Sequence, residues 1–248
     1  MHFVGFENYV KLFHDPQFFD AAGRTILFVI FAGVLGQEAV GFLMAYLMRT
    51  HSPKFRRAVG FTSVVAWCCP MVVASYIFLS FFEDKGTLNM IISAFGASPV
   101  SWLYSFPLVC IFVAQIWKGA AYASMMFQAS FDNISNEITE SARLDGASNM
   151  KILTKIYLPI LKPTIATVSM IITLNCIGAF GLPYAMLKGG PSNSTTTLAI
   201  YMYKKAFVSY QLGAGTAIAI IMLLVGVLFA FIYIKVLSDK DGKKVRKH

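Results

Sequence analysis

Five stretches of this chain, at about 22–48, 58–82, 106–131, 160–182 and 213–237, are apolar over twenty residues or more. A helix needs about 20 such residues to cross the hydrocarbon layer of a bilayer, so each stretch is expected to span it. Lipid offers no partner to exposed peptide groups, and a span must therefore satisfy its backbone hydrogen bonds internally. The expectation is an all-α membrane protein with five helices in this chain. An external segment 1–21 precedes them and a basic cytoplasmic tail 238–248 follows.

Charge placement gives the orientation. Arg49, Lys54, Arg56, Arg57, Arg143, Lys151, Lys155, Lys162, Lys235, Lys240, Lys243, Lys244, Arg246 and Lys247 fall on one set of connections, fourteen cations in all. The opposite set holds Lys11, Arg24, Lys85, Lys188, Lys204 and Lys205, with Lys118 near or within the third span. The richer side is cytoplasmic by the positive-inside rule, which places the C-terminus inside. The net charge of +9 does not indicate a nucleic-acid binder, because these cations lie between apolar spans rather than on one solvated face. Five spans leave Met1 outside, an arrangement expected either of a chain lacking an earlier helix or of a true five-span protein with a translocated start. Met1 to Asp20 is mixed and polar, so no cleavable signal sequence is expected there.

Cys68, Cys69, Cys110 and Cys176 lie in apolar stretches without metal or redox spacing and read as small buried hydrophobes. His2, His14, His51 and His248 are scattered near segment ends, so no metal site is expected.

The connection at about 132–159 has the most specific local chemistry. Ser135 or Asn136 can cap a helix whose early acids, Glu137 and Glu140, suit the positive end of its dipole. Gly146 can end it in the left-handed conformation. Ser148 can cap a second helix that runs to Tyr157 and halts at Pro159. The first helix, 137–145, is about 13 Å long at 1.5 Å per residue, the size of a docking peg.

Glu140-Ser141-Ala142, three residues, Gly146, nine residues and Ile156-x-Leu158-Pro159 together resemble the E-A-A-x₃-G-x₉-I-x-L-P loop of ATP-binding-cassette importer permeases. Ser141 replaces the usual alanine and is small enough for the same close approach. The 3–9 stretch F-V-G-F-E-N-Y is similar to a segment that follows the first helix in the carbohydrate-uptake branch, related to the maltose and glycerol-3-phosphate permeases. So are Gly189-Gly190-Pro191, the 195–203 stretch T-T-T-L-A-I-Y-M-Y with Ala206-Phe207, the P-V-S-W-L at 99–103, and Ile116-Trp117-Lys118. The resemblance covers nearly the whole chain and implies a type I importer transmembrane domain in a bacterial inner membrane, with the family's first helix missing here.

It also implies partners: a second homologous permease, two cytoplasmic ATPase subunits gripping the loop, and an external solute-binding protein that delivers a sugar. Glu137, Glu140, Ser141, Ala142, Arg143, Asp145 and Gly146 would form the coupling element, with Arg143 and Asp145 either contacting the ATPase or simply solvated. No G-x₄-G-K-[ST] phosphate loop is present, so this chain is not expected to be an enzyme or to hold a cofactor of its own; ATP and its Mg would sit on the partner.

For the substrate pathway the candidates are Thr173, Asn175, Gly178, Phe180 and Tyr184, amide and hydroxyl groups beside aromatic faces at membrane depth. Gly178 and Gly181 can equally serve close helix packing, and many relatives have an acidic or amide residue where this chain has Gly181. Gln37 and Glu38, inside the first span, are either pathway contacts or interhelical hydrogen-bonding groups. Lys118 is expected to pack with its ammonium reaching toward the boundary. Two rivals remain at this level: an ion-coupled secondary transporter, which would need buried ionisable relays, and a non-transport membrane scaffold.

Overall fold

The computed structural model describes the backbone of residues 5–245 and the side chains of 5–235. Phe3, Val4, His2, His248 and the side chains of Lys240, Lys243, Lys244, Arg246 and Lys247 lie outside the described residues. Among those described, all regular structure is helical. The helices are α1 (Glu7–Phe13), α2 (Pro16–Thr50), α3 (Pro53–Cys68), α4 (Met71–Phe82), α5 (Thr87–Ala94), α6 (Trp102–Ser105) and α7 (Pro107–Asp132), then α8 (Asn136–Leu144), α9 (Asn149–Ile177), α10 (Gly181–Leu187), α11 (Leu198–Tyr203) and α12 (Leu212–Val245).

Four helices, α2, α7, α9 and the Leu212–Lys235 part of α12, are long and apolar enough to cross a membrane, and the α3 to α5 region makes a fifth if its bent halves count as one span. The first span starts earlier than expected. Asp15 caps α2 by accepting the Gln17 N–H at 2.9 Å, and Pro16 supplies the pre-set φ of a first helical residue. The resulting 35-residue helix widens into π-helical turns over Phe28–Glu38. At the other end α12 continues to Val245, past the expected limit at 237.

The second stretch is not one helix. Where Pro53–Cys68 meets Met71–Ala94, the axis turns by 105°. Pro70 causes the break: Cys69 before it is driven to extended geometry (ψ 124°), and the Ala66 carbonyl loses its usual i+4 donor because proline has no N–H. Lys118 of α7 supplies the missing donors, its Nζ reaching the carbonyl oxygens of Ala66 at 3.0 Å and Trp67 at 2.6 Å, and also that of Cys69. Lys118 is thus turned into the bundle rather than toward the boundary.

α7 is the central helix. It packs along α2, with Gly41 so close to Ala123 that an added Cβ would overlap it, and Ala45 and Ala120 fully buried nearby. Phe42, Phe127, Phe131, Tyr46 and Tyr157 make a continuous run of edge and tilted aromatic contacts between α2, α7 and α9. Polar groups in this interior are paired across helices: Glu38 accepts from Ser169 Oγ at 2.7 Å, Ser124 donates to Ser63 at 3.1 Å, and Gln37 donates to Cys176 Sγ at 3.4 Å. The carboxylate inside the first span therefore holds α2 to α9. Cys110 and Cys176 are buried as expected, whereas Cys68 is exposed at the helix break.

The two ends of the bundle are built differently. At one end Arg49 donates to the Ile134 carbonyl at 2.9 Å and Arg56 pairs with Asp132 at 2.6 Å, which fastens the α2–α3 turn to the end of α7. At the opposite end Thr25 of α2 accepts the Leu198 N–H at 2.8 Å and so caps α11, while Asn89 bonds both backbone groups of Val100 (2.8 and 3.0 Å) and the Trp102 indole (3.0 Å). These two contacts give a structural reason for the 195–203 and 99–103 signatures.

Candidate functional site

At the end that carries Arg49 and Arg56, the connection from α7 to α9 forms a rigid protruding element. Ser135 caps α8 by accepting the Glu137 N–H at 3.2 Å. Glu137 lies in the first turn, and Glu140 one turn further along. At the far end Gly146 takes φ +76°, its N–H donating to the Arg143 carbonyl at 3.0 Å while the Ala147 N–H donates to Ala142 at 2.9 Å. That bond pair is a Schellman stop, the geometry glycine adopts at least cost.

One face of α8 is anchored. Thr139 is buried with its hydroxyl 3.1 Å from the Tyr157 hydroxyl, and Ala142 packs on the main core. The other face is open, with Glu137, Glu140, Ser141, Arg143, Asp145 and Gly146 all exposed. Leu144 at the tip is 90% exposed and Met150 beyond the turn 67%. Leu144 is thus an exposed apolar side chain on a capped, anchored helix.

The second helix of the connection does not halt at Pro159. Ser148 caps it by accepting from Lys151 N–H at 3.3 Å, but it then runs without interruption into the fourth span, as a 29-residue helix from Asn149 to Ile177. Five π-helical residues, Leu153–Tyr157, precede the proline and absorb the missing N–H and the ring's bulk. The second half of the protruding element is consequently continuous with a span.

At mid-depth a cavity of about 520 Å³ opens between α2, α7, α9 and the α3–α4 break. Gln37, Gln115, Lys118, Tyr122 and Asn175 give it polar groups, and Trp67 and Phe180 give it aromatic ones. Asn175, Gly178 and Phe180 are therefore brought together in one cavity. Gly178 ends α9, and a Cβ there would meet only the Leu174 carbonyl, at 3.8 Å, so close helix packing does not require it; Gly181 faces Met71. Thr173 is not part of this site: it is 1% exposed, and its hydroxyl lies 3.1 Å from that of Tyr233 on α12. Successive helical residues are 100° apart, so Thr173 and Asn175 face different ways.

Tyr184 is displaced in a different sense. It stacks on Phe180 at 4.7 Å and meets Tyr203 at 5.0 Å, which in turn meets Phe207 at 5.4 Å. This aromatic series leads from the mid-depth cavity to a second cavity of about 500 Å³ at the end opposite α8, which Tyr184 lines. Gln37 is one of the two first-span residues weighed as a pathway contact, whereas Gln115, Lys118 and Tyr122 were not singled out as pathway residues by the sequence. Their signal was available as polar groups spaced i, i+3 and i+7 along the third span, at Gln115, Lys118 and Tyr122.

The family described as binding-protein-dependent transport system inner membrane component matches residues 39–240. The sulfoquinovosyl glycerol transport system permease protein of Agrobacterium fabrum is 30% identical over 96% of this chain and 78% of its own length. The trehalose/maltose transport system permease protein of Thermococcus litoralis is 28% identical over 94% and 79%. Among solved structures, a chain of the bacterial alginate transporter in complex with an alginate-pentasaccharide-bound periplasmic protein superposes with a TM-score of 0.83 at 24% identity, covering 93% of this chain and 81% of that one. A chain of the methionine transporter in its inward-facing form gives 0.63 at 16% identity, covering 89% and 93%.

Proposed function

The chain belongs to the binding-protein-dependent inner membrane transport components, and from that premise we propose that it is one permease subunit of an ATP-driven importer of oligosaccharides or related sugars, coupled to its motor through α8. The observation that carries the coupling is α8 itself: a nine-residue helix closed by a cap at each end, held at its base by Thr139 and Tyr157, and exposing Leu144 beside charged groups.

Such a peg fits a cleft in a cytoplasmic ATPase subunit. Leu144 and Ile138 would enter the apolar part of that cleft, with Glu140, Arg143 and Asp145 at its rim. Because α8 is held to the start of α9 by the Thr139–Tyr157 hydroxyl contact, a push on the peg would become a tilt of the helix that carries Asn175. Closure of two ATPases would swing this bundle and a second, homologous one to the outward-facing state; their separation after hydrolysis would reopen the inside, as rigid-body motion. The basic end would then be cytoplasmic and the Thr25–Leu198 end external, facing a solute-binding protein. Sugar as substrate is supported by the named substrates of the relatives and by the mid-depth cavity, where amides, a tyrosine hydroxyl and aromatic faces suit hydroxyls and sugar rings.

The test is Leu144→Asp in the assembled transporter. The aspartate faces solvent in the free chain and should leave insertion and folding unchanged. The expected result is loss of the ATPase subunit on copurification and at least about a tenfold fall in uptake, the scale of a desolvated anchor residue. Full retention of both would refute the coupling assignment.

A further inference from the structure

The cavity at the external end lies outside the mid-depth site and has a charge composition of its own. Its wall contains three cations, Arg24, Lys204 and Lys205, and one carboxylate, Asp20. Two of the cations are balanced: Arg24 lies 3.7 Å from Asp20, and Lys205 lies 3.1 Å from Asp15 and over the Tyr201 ring at 5.3 Å. Lys204 is different. Its ammonium donates to Asn193 Oδ1 at 2.7 Å and to Thr196 Oγ1 at 3.4 Å, both neutral, and among the described residues no carboxylate lies within ion-pair distance. One of its three N–H donors is left for something else.

The loop that holds this ammonium is unusually constrained. Lys188, Gly189, Gly190, Ser192 and Asn193 all have positive φ, and three of them are not glycine. Left-handed backbone in non-glycine residues costs energy and persists where the surroundings impose it, often at ligand sites. Here it brings Asn193 and Thr196 to the ammonium. At Gly189 any side chain would collide with Lys204 Nζ and the Thr196 hydroxyl. The glycine suits its own φ of +104°, and an added side chain would have to displace the ammonium from its place. Burial holds the Lys204 pKa below the ordinary lysine value, as expected of a cation that lacks a counter-charge.

We propose that this cavity is a first-contact site for a saccharide carrying a carboxylate or another acidic group, with Lys204 as the contact for that group. The volume, about 500 Å³, suits one or two sugar rings. Gln17, Asn193 and Ser209 offer amide and hydroxyl partners, and Tyr184 offers a ring face that continues inward through Phe180 to the mid-depth cavity. A neutral sugar would leave the lysine uncompensated, so the site selects for the anionic one. The inference rests on the importer reading and deepens it.

The experiment uses the whole transporter, purified through its ATPase subunit and placed in zwitterionic nanodiscs, with saturation-transfer NMR of glucuronate and glucose. Recovery of the chain with that subunit checks the importer reading first and independently. The expected result is a glucuronate signal that Lys204→Gln weakens about tenfold and Lys204→Arg retains, since the guanidinium keeps the charge, while the glucose signal is the same in all three. Equal binding of the two sugars by the native complex, or an unchanged glucuronate preference in Lys204→Gln, would overturn the proposal. So would acetate and inorganic phosphate competing as strongly as glucuronate, because that would mark a bare charge site without saccharide recognition.

Discussion

At the scale of single residues, Asp15 shows how an end of the bundle is locked. It caps α2, accepts from the Tyr201 hydroxyl and pairs with Lys205, joining the start of the first span to α11. Burial pushes its carboxyl up, but the Tyr201 and Lys205 contacts outweigh that and hold it below the ordinary value of 3.8. A carboxylate with a depressed folded pKa stabilises above its unfolded pKa, and the contribution disappears as pH falls through the folded one. Amide exchange in 17–20 and 198–203, corrected for intrinsic rates, should stay slow from neutral pH to about pH 5 and quicken only below about pH 4. Asp15→Asn should show the quickened pattern already at neutral pH, and a native transition near pH 6 would contradict the assignment. The peg residues were legible in the sequence because caps and stop signals act within four residues: Ser135, Gly146 and Ser148 do in the structure what their types prefer. Thr173 was misplaced because residue type was weighed without its angle on the helix. Lys204 could not be singled out at all, since its isolation from carboxylates depends on Asp15 and Asp20, nearly two hundred residues away in sequence.

Among the elements, the broken α3–α4 pair shows where sequence reading stops. Pro70 was visible, and a proline inside an apolar stretch permits either a gentle kink or a full break. What holds the 105° turn that Pro70 opens is Lys118, which is 48 positions away and satisfies the carbonyls that the break exposes. Lys118→Met keeps the stem and removes the donors. Each lost bond to a charged group is worth about 1.5–3 kcal/mol, and nearby water can recover part of it through the cavity. The variant is therefore expected to lower stability of the solubilised chain by about 2 kcal/mol, measured by denaturant or thermal unfolding, and to raise exchange at 66–72. Unchanged unfolding with unchanged exchange would show that Pro70 alone sets the break. The continuous α9 teaches the converse: Pro159 looked like a stop, but π-helical turns at Leu153–Tyr157 let the helix pass, a compensation that no local preference announces.

The molecule as a whole is built differently at its two ends. One end is tied by Arg49, Arg56 and the Thr139–Tyr157 contact around a projecting peg; the other is tied by Thr25, Asp15 and Asn89 around a cavity and a strained loop. Between them α9 runs as a single helix from beside the peg, where Tyr157 meets Thr139, to the mid-depth cavity that Asn175 lines. The overall class was legible because the bilayer imposes length and apolarity on every span, and the lysine and arginine bias gave a direction for it. The most direct measurement places a photo-activatable benzoylphenylalanine at position 144 and illuminates the intact transporter in its own membrane. A covalent adduct with the ATP-hydrolysing subunit, strengthened when that subunit is held closed by a non-hydrolysable nucleotide, is the expected result. An adduct confined to lipid or to the external binding protein would contradict the account.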